Sequence, residues 1–404
     1  MQNLPQRDVR CGGRLSSFLM ERRHMRVLGI TLGAVLGVLA VGGAQADDDF
    51  EPEVLTVEES IEPGANLFLL DQSWQGASRL NVLAVEDLAH KGNLSMGLVA
   101  QMALSRDRKT AYTISAYAKR ITYGPTEAVL QIFDVDTLTL KSEVIIPDKM
   151  SQVAPSNAVL QLSADDRYAF IQNATPATSV TIVDTKAGEV IAEVPTPGCF
   201  GIYPALDSQR FSTLCGDGTM AAYDFEADGE FSAPVRSKKL FDPDEDALFI
   251  MPERVGKDLV FPSFKGNLYR ISDAGTPRLV DKFSLTEGIE GDWAPGGVDV
   301  MAYNASHDVM FVLMHPDAEE GSHKNGAEEL WAVDMDAQEV LYRSAVGHLA
   351  SIAVTPGEEP VLFGMSEESE VVRYEIAPEA RFAAKPTATL EGAGDWTVYA
   401  IAGG

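Results

Sequence analysis

Short apolar runs, each closed by Gly, Pro, Asp or Asn, recur from about residue 60 to the end of the chain. No segment keeps a helical spacing of apolar positions over three or four turns. The pattern predicts an all-β protein. Within it a unit repeats: an apolar strand ends at Asp and reverses through a polar turn into a second strand. Residues 130–134 lead into 141–146, residues 180–184 lead through Lys186-Ala187-Gly188 into 190–194, and residues 330–334 lead into 340–343. Weaker copies begin at Leu80, Met220, Leu268 and Val371, which makes seven copies.

Each copy after the first follows two further strands, for example 98–105 with 110–116, 158–163 with 168–173, or 350–355 with 361–365. Four strands per repeat, at roughly 40 to 60 residues, is the signature of propeller blades. The first copy has one strand ahead of it, 67–71, and an orphan strand, 396–402, stands at the carboxyl end. Together these two complete a blade, and a ring closed by its own termini leaves no bare sheet edge at the seam. The expectation is one seven-bladed β-propeller over residues 60–404, with an Asp- and Glu-rich arm at 47–59 outside the ring.

Upstream, Arg22, Arg23 and Arg26 precede an apolar run at 27–41, and Ala44-Gln45-Ala46 stands just before Asp47-Asp48-Asp49. This order reads as a secretory signal peptide, residues 1–46, cleaved after Ala46; Met20 and Met25 are alternative starts, and an uncleaved anchor is the alternative reading. The run is short, rich in Gly and Ala, and followed by acid, which disfavours a membrane span and points to a periplasmic protein. In that oxidising compartment Cys199 and Cys215, the only cysteines beyond the signal, are expected to form a disulfide. They open and close the first two strands of the fourth blade, where antiparallel neighbours come within bonding reach. A redox or metal role fits less well, because the two are not a Cys-x-x-Cys pair and no convincing ligand set lies near them.

Composition narrows the function. Of 404 residues, 45% are hydrophobic and 23% charged, enough for a sizeable core and unlike a disordered or collagen-like chain. The 60 acidic against 32 basic residues give a net charge of -28; the first 46 residues hold six basic and two acidic side chains, so the remaining 358 carry -32. That balance argues against nucleic acid or an anionic membrane as partner. No Gly-x-Ser-x-Gly elbow, P-loop or dinucleotide fingerprint is present. The densest polar cluster, His315-Pro316-Asp317-Ala318-Glu319-Glu320-Gly321-Ser322-His323-Lys324-Asn325, matches no metal-ligand spacing and reads as a solvated loop, as does Asp244-Glu245-Asp246. The four tryptophans read as core or interface, Trp331 and Trp396 within strands, Trp74 and Trp293 in connections. No catalytic, cofactor-binding or metal residue is assigned on this chain.

Several strings nevertheless resemble the heavy subunit of the periplasmic quinoprotein amine dehydrogenases, the methylamine and aromatic amine enzymes. They are Trp293-Ala294-Pro295-Gly296-Gly297, Cys199 through Cys215-Gly216-Asp217-Gly218, Pro262-Ser263-Phe264-Lys265-Gly266, and the 315–324 loop followed by Glu329-Leu330-Trp331. The resemblance follows blade order over nearly the whole mature chain. It implies a heterotetramer of two heavy and two light chains, with tryptophan tryptophylquinone on a small, disulfide-dense light subunit and no cofactor on this chain. It implies oxidative deamination of a primary amine to aldehyde and ammonia, electrons passing to an azurin- or amicyanin-like blue copper protein. It also implies that residues 113–120 reach toward the substrate channel, with Ala118 where the methylamine enzymes carry a Phe. A small side chain there favours bulky aromatic amines; a register one residue off places Tyr117 there instead. The alternatives are a methylamine dehydrogenase heavy subunit, a stand-alone propeller hydrolase of lactonase type, and a non-catalytic binding propeller, since the fold serves all of these.

Overall fold

The computed structural model describes residues 58–121 and 123–403. The signal peptide at 1–46 lies outside the described residues, as does the arm at 47–59 except for its last two positions.

The strand–Asp–turn unit is built the same way in three sheets. The strand Tyr123–Asp134 ends at Asp134, whose Oδ1 accepts the N–H of Thr137 at 3.0 Å. Asp184, ending Ser179–Asp184, accepts from Lys186 and Ala187 at 3.0 and 2.9 Å. Asp334, ending Ala327–Asp334, accepts from Asp336 and Ala337 at 3.0 and 2.8 Å. Each turn then passes through one left-handed residue, Leu138 at φ 53°, Gly188 at 73° or Gln338 at 57°. The returning strand pairs with a bulge at Phe133, Val183 or Val333. A short carboxylate is what satisfies the turn's N–H groups. At the first turn, the Thr137 N–H and the neighbouring Lys141 pull the Asp134 carboxyl down to about 2.

These units assemble into an all-β propeller. The first sheet holds, in spatial order, Tyr399–Ala402, Asn66–Asp71, Arg79–Ala84 and His90–Ser95, so the C-terminal strand pairs with the N-terminal one and Leu69 faces Ala400. The second holds Leu98–Leu104, Thr110–Arg120, Tyr123–Asp134 and Thr139–Ile146, and the third Leu160–Leu162, Tyr168–Asn173, Ser179–Asp184 and Glu189–Pro195. The fourth holds Cys199–Pro204, Arg210–Cys215, Met220–Asp224 and Val235–Arg236, and the fifth Glu253–Val255, Asp258–Pro262, Asn267–Ser272 and Arg278–Ser284.

Seven separate sheets were the expectation from the repeat count; the described residues instead form five sheets of four strands and one of eight. In the eight-stranded sheet Ala294–Pro295 and Met301–Asn304 both pair with Val309–His315, followed by Ala327–Asp334, Glu339–Val354, Val361–Ser366, Val371–Ile376 and Ala384–Leu390. The cause is Glu339–Val354, a single strand of 16 residues. It pairs with Ala327–Asp334 on one side and Val361–Ser366 on the other, and Leu349 stands opposite both Ala327 and Ser366. No proline interrupts it, so the ladder passes through a point where the repeat pattern expects a break.

Burial follows position in the sheet. Ser179–Asp184, an interior strand, is buried throughout, whereas the outer strand Thr139–Ile146 is mostly exposed. Sheets lock to one another through aromatic side chains: Tyr168 meets Phe225 edge-on at 5.1 Å, Phe170 meets Phe211 at 5.6 Å, and Tyr203 meets Phe261 edge-on at 5.2 Å. Each such pair contributes about 0.5–1.5 kcal/mol beyond its buried area. The disulfide joins Cys199 to Cys215, which stand directly opposite in the fourth sheet, and the Arg236 guanidinium lies against both sulfurs at 3.9 and 3.7 Å. Trp331 is fully buried within its strand, but Trp396 precedes the strand Tyr399–Ala402 rather than lying in it.

An acidic cleft and a projecting hairpin as the candidate functional site

In an antiparallel four-stranded sheet, the turn joining the second and third strands and the link to the next sheet emerge at the same end. Connections at that end include 72–78, the hairpin end at 117–121 and 123–126, 243–247, 263–266 and 285–293, joined by the 316–326 loop of the eight-stranded sheet.

The hairpin formed by Thr110–Arg120 and Tyr123–Asp134 overhangs its sheet. Its flanking strands pair no further than Ala116 and Ala128, while the hairpin continues through Ala118 opposite Thr126 to Arg120 opposite Tyr123. Tyr117 and Ala118 sit on this overhang. The Tyr117 hydroxyl donates to Gln131 Oε1 at 2.7 Å with its ring partly exposed, and Ala118 is half-buried. Beyond them Ile121 is 91% and Tyr123 66% exposed, with Arg120 over the Tyr123 ring at 5.3 Å. Trp74, on the corresponding connection of the adjacent first sheet, is 50% exposed. These apolar side chains stand bare to solvent at the tips of their connections. The sequence pattern stopped short of this: Trp74 was expected in core or interface, and Ile121 and Tyr123 carried no signal beyond being apolar in a turn.

The cleft is a cavity of about 820 Å³ on the far side of the same end. Its lining includes Asp244, Glu245, Asp246, Asp292, Glu319 and Glu320, with Phe264, Trp293 and His323 as the aromatic part. The two acidic runs that read as separate solvated loops therefore line one site. Asp246 departs from that reading altogether: it is buried and accepts from the Lys265 N–H at 3.1 Å, Asn267 Nδ2 at 2.8 Å and the Tyr269 hydroxyl at 3.1 Å. It fastens one loop to its neighbouring strand. His315 departs too, being the buried last residue of Val309–His315 with Nδ1 against the Pro316 carbonyl at 2.8 Å. His323 stacks on Phe264, and desolvation, then Lys324, then His315 lower its pKa below the ordinary histidine value. Behind the cleft wall Trp331 Nε1 and Arg343 Nε both donate to Glu329, at 2.7 and 2.6 Å, and the Arg343 guanidinium stacks on Trp293 and Trp331. Neither Tyr117 nor Ala118 lines the cleft. Among the described residues, no three of His, Cys, Asp and Glu converge as a metal site.

The same end of the propeller thus carries an acidic cleft with aromatic lining and, apart from it, an exposed apolar turn tip. The family described as methylamine dehydrogenase heavy chain (MADH) matches residues 77–380, and the chain belongs to that family. It is 25% identical over 287 residues to a methylamine dehydrogenase heavy chain of Methylobacillus flagellatus, covering 70% of this chain and 71% of the relative. It is 22% identical over 370 residues to that of Methylophilus methylotrophus, covering 87% and 90%. Solved structures agree on the fold alone. A protein of unknown function from Desulfotomaculum acetoxidans has a TM-score of 0.56 at 10% identity, covering 84% of this chain and 99% of that one. A candidate 6-phosphogluconolactonase from Bacteroides uniformis has 0.58 at 12% identity, covering 85% and 99%.

Proposed function

We propose that this chain is the heavy subunit of an exported quinoprotein amine dehydrogenase, acting in the periplasm on primary aromatic amines. The family match over residues 77–380 supports the subunit reading, and the overhanging hairpin with its bare apolar tip is the observation that carries the partner. In this reading Trp74, Ile121 and Tyr123 dock a small light subunit in an assembly of two heavy and two light chains. The light subunit's tryptophan tryptophylquinone supplies the oxidation of amine to aldehyde and ammonia, and a blue copper protein takes the electrons. This chain's part is to seat that subunit, exclude water beside it and shape the way in. Ala118 stands half-buried at the base of the tip, and its small side chain is what the aromatic reading rests on. The eight-stranded sheet is read as two blades sharing Glu339–Val354, which makes seven in all.

The names of the relatives favour a second reading, methylamine as substrate. One experiment separates the two. The native protein is purified from its own cells, and the visible spectrum is followed on adding phenylethylamine or methylamine. A small co-purifying chain whose absorption band bleaches with phenylethylamine supports the aromatic reading. Bleaching by methylamine alone keeps the subunit and overturns the substrate. A single colourless chain, with the light subunit expressed but unbound, sinks the subunit itself.

A further inference from the structure

The first strands of successive sheets are neighbours around the axis of the propeller. Between them lies a second cavity, of about 310 Å³, sharing no residue with the cleft. Glu253, which opens Glu253–Val255, and Asp299, just ahead of Met301–Asn304, both line it, together with Asn157, Tyr399 and Arg108. We propose that this cavity is a binding site for a hydrated divalent cation, held between the carboxylates of Glu253 and Asp299.

Asp299 is only 7% exposed, and its backbone is held on both faces: its N–H donates to Ser351 Oγ at 3.0 Å and its carbonyl accepts from the Ile352 N–H at 3.1 Å. Its carboxylate, in contrast, has no hydrogen bond or ion pair among the described residues, and neither has that of Glu253. A buried carboxylate without a partner is costly. The nearby cations are committed elsewhere. Arg254 spends its guanidinium on Asp273 and on the Pro204 and Lys257 carbonyls, and Arg108 donates to the Ala402 carbonyl. Even with Arg108 counted, two carboxylates leave the cavity one negative charge in excess. Burial pushes both carboxyls up, Asp299 to about 7, and Asp299 raises Glu253 further, which is the behaviour of acids lacking a counter-ion.

The chemistry of the lining sets the class of ligand. Apart from the weakly ligating thioether of Met301, the side-chain donors that line the cavity are oxygens, from carboxylate, amide and phenol, which suit a hard cation. At roughly 30 Å³ per water, the cavity holds an ion together with several waters. Two carboxylates with waters completing the shell is the pattern of Mg²⁺ or of a partly hydrated Ca²⁺. Bound there, the ion ties the fifth sheet to the eight-stranded one beside Tyr399, in the strand that closes the ring.

The test uses the full chain stripped with EDTA and titrated with CaCl₂ and with MgCl₂ by calorimetry and thermal melting. The expected result is saturable binding near one equivalent and a melting temperature that climbs with metal concentration. Glu253→Gln and Asp299→Asn each lose that binding while melting, without metal, at or above the wild-type temperature, because each removes one of two repelling charges. No heat and no melting shift in the wild type overturns the proposal, and so does binding that survives in both variants. A wild type that ignores metal yet loses stability as pH rises through 7, with the loss absent in Asp299→Asn, also overturns it and assigns the pair a shared proton instead.

Discussion

His323 lies flat on Phe264, ring centroids 3.9 Å apart and planes within 13°, joining the loop of the eight-stranded sheet to that of the fifth. Burial against that ring disfavours the imidazolium, and Lys324 and His315 add to the effect. The folded pKa is therefore below the unfolded value of about 6.5. Below that pH the unfolded chain takes up the proton first, so stability falls from about 6.5 down to the lowered folded value and then levels. An NMR titration of His323 should give a midpoint below 6.5, and Phe264→Ala should move it upward. A wild-type midpoint at or above 6.5 contradicts the stacking argument.

Arg343 is stacked on two indoles, 4.5 Å from the Trp293 ring and 4.7 Å from Trp331, while its Nε serves Glu329. Arg343→Ala leaves a half-buried carboxylate with the Trp331 N–H alone and should cost about 1–3 kcal/mol. Arg343→Lys should recover only part of this, since an ammonium cannot stack as a planar guanidinium does. Denaturant melts of the three proteins measure both steps.

The Cys199–Cys215 bond closes a loop with a sequence separation of 16. Loop-closure entropy assigns such a crosslink roughly 3 kcal/mol. A double Cys→Ser variant should lose about that amount with the same denaturant slope, and reducing agent should lower the wild-type melt toward it. An unchanged midpoint would show that the unfolded chain already holds the two segments together.

Ile121 and Tyr123 are exposed at the tip of the overhanging hairpin. Ile121→Glu with Tyr123→Ser should leave the melt within about 0.5 kcal/mol of wild type, because neither side chain is in the core. The same pair should weaken light-subunit retention in co-purification by about tenfold or more. Undiminished retention removes the hairpin from the interface.

Ala118→Phe tests the channel in the assembled enzyme. The expected outcome is a fall in kcat/KM for phenylethylamine of about tenfold to a hundredfold relative to methylamine. An equal fall for both amines shifts the constriction to another residue, of which Tyr117, with its hydroxyl on Gln131, is the neighbour to change next.

Local chemistry is legible in one dimension wherever the determinants are neighbours in sequence. Asp134, Asp184 and Asp334 each bind N–H groups two or three residues on, so the repeated turn, the strand on either side and the propeller class follow from the sequence. The pairing of Cys199 with Cys215 and of the terminal strands follows from counting those units.

Tertiary structure decided what depends on residues brought together from separate sheets. Asp246 was indistinguishable from Asp244 in sequence until Asn267 and Tyr269 came within reach of it. Glu253 and Asp299 were two among many acids until the first strands of their sheets became neighbours around one cavity. Leu349, opposite both Ala327 and Ser366, merged two repeats into one sheet. Turn geometry is set within a few bonds, whereas burial and the sharing of a partner are properties of the closed ring, where distant segments displace each other's water.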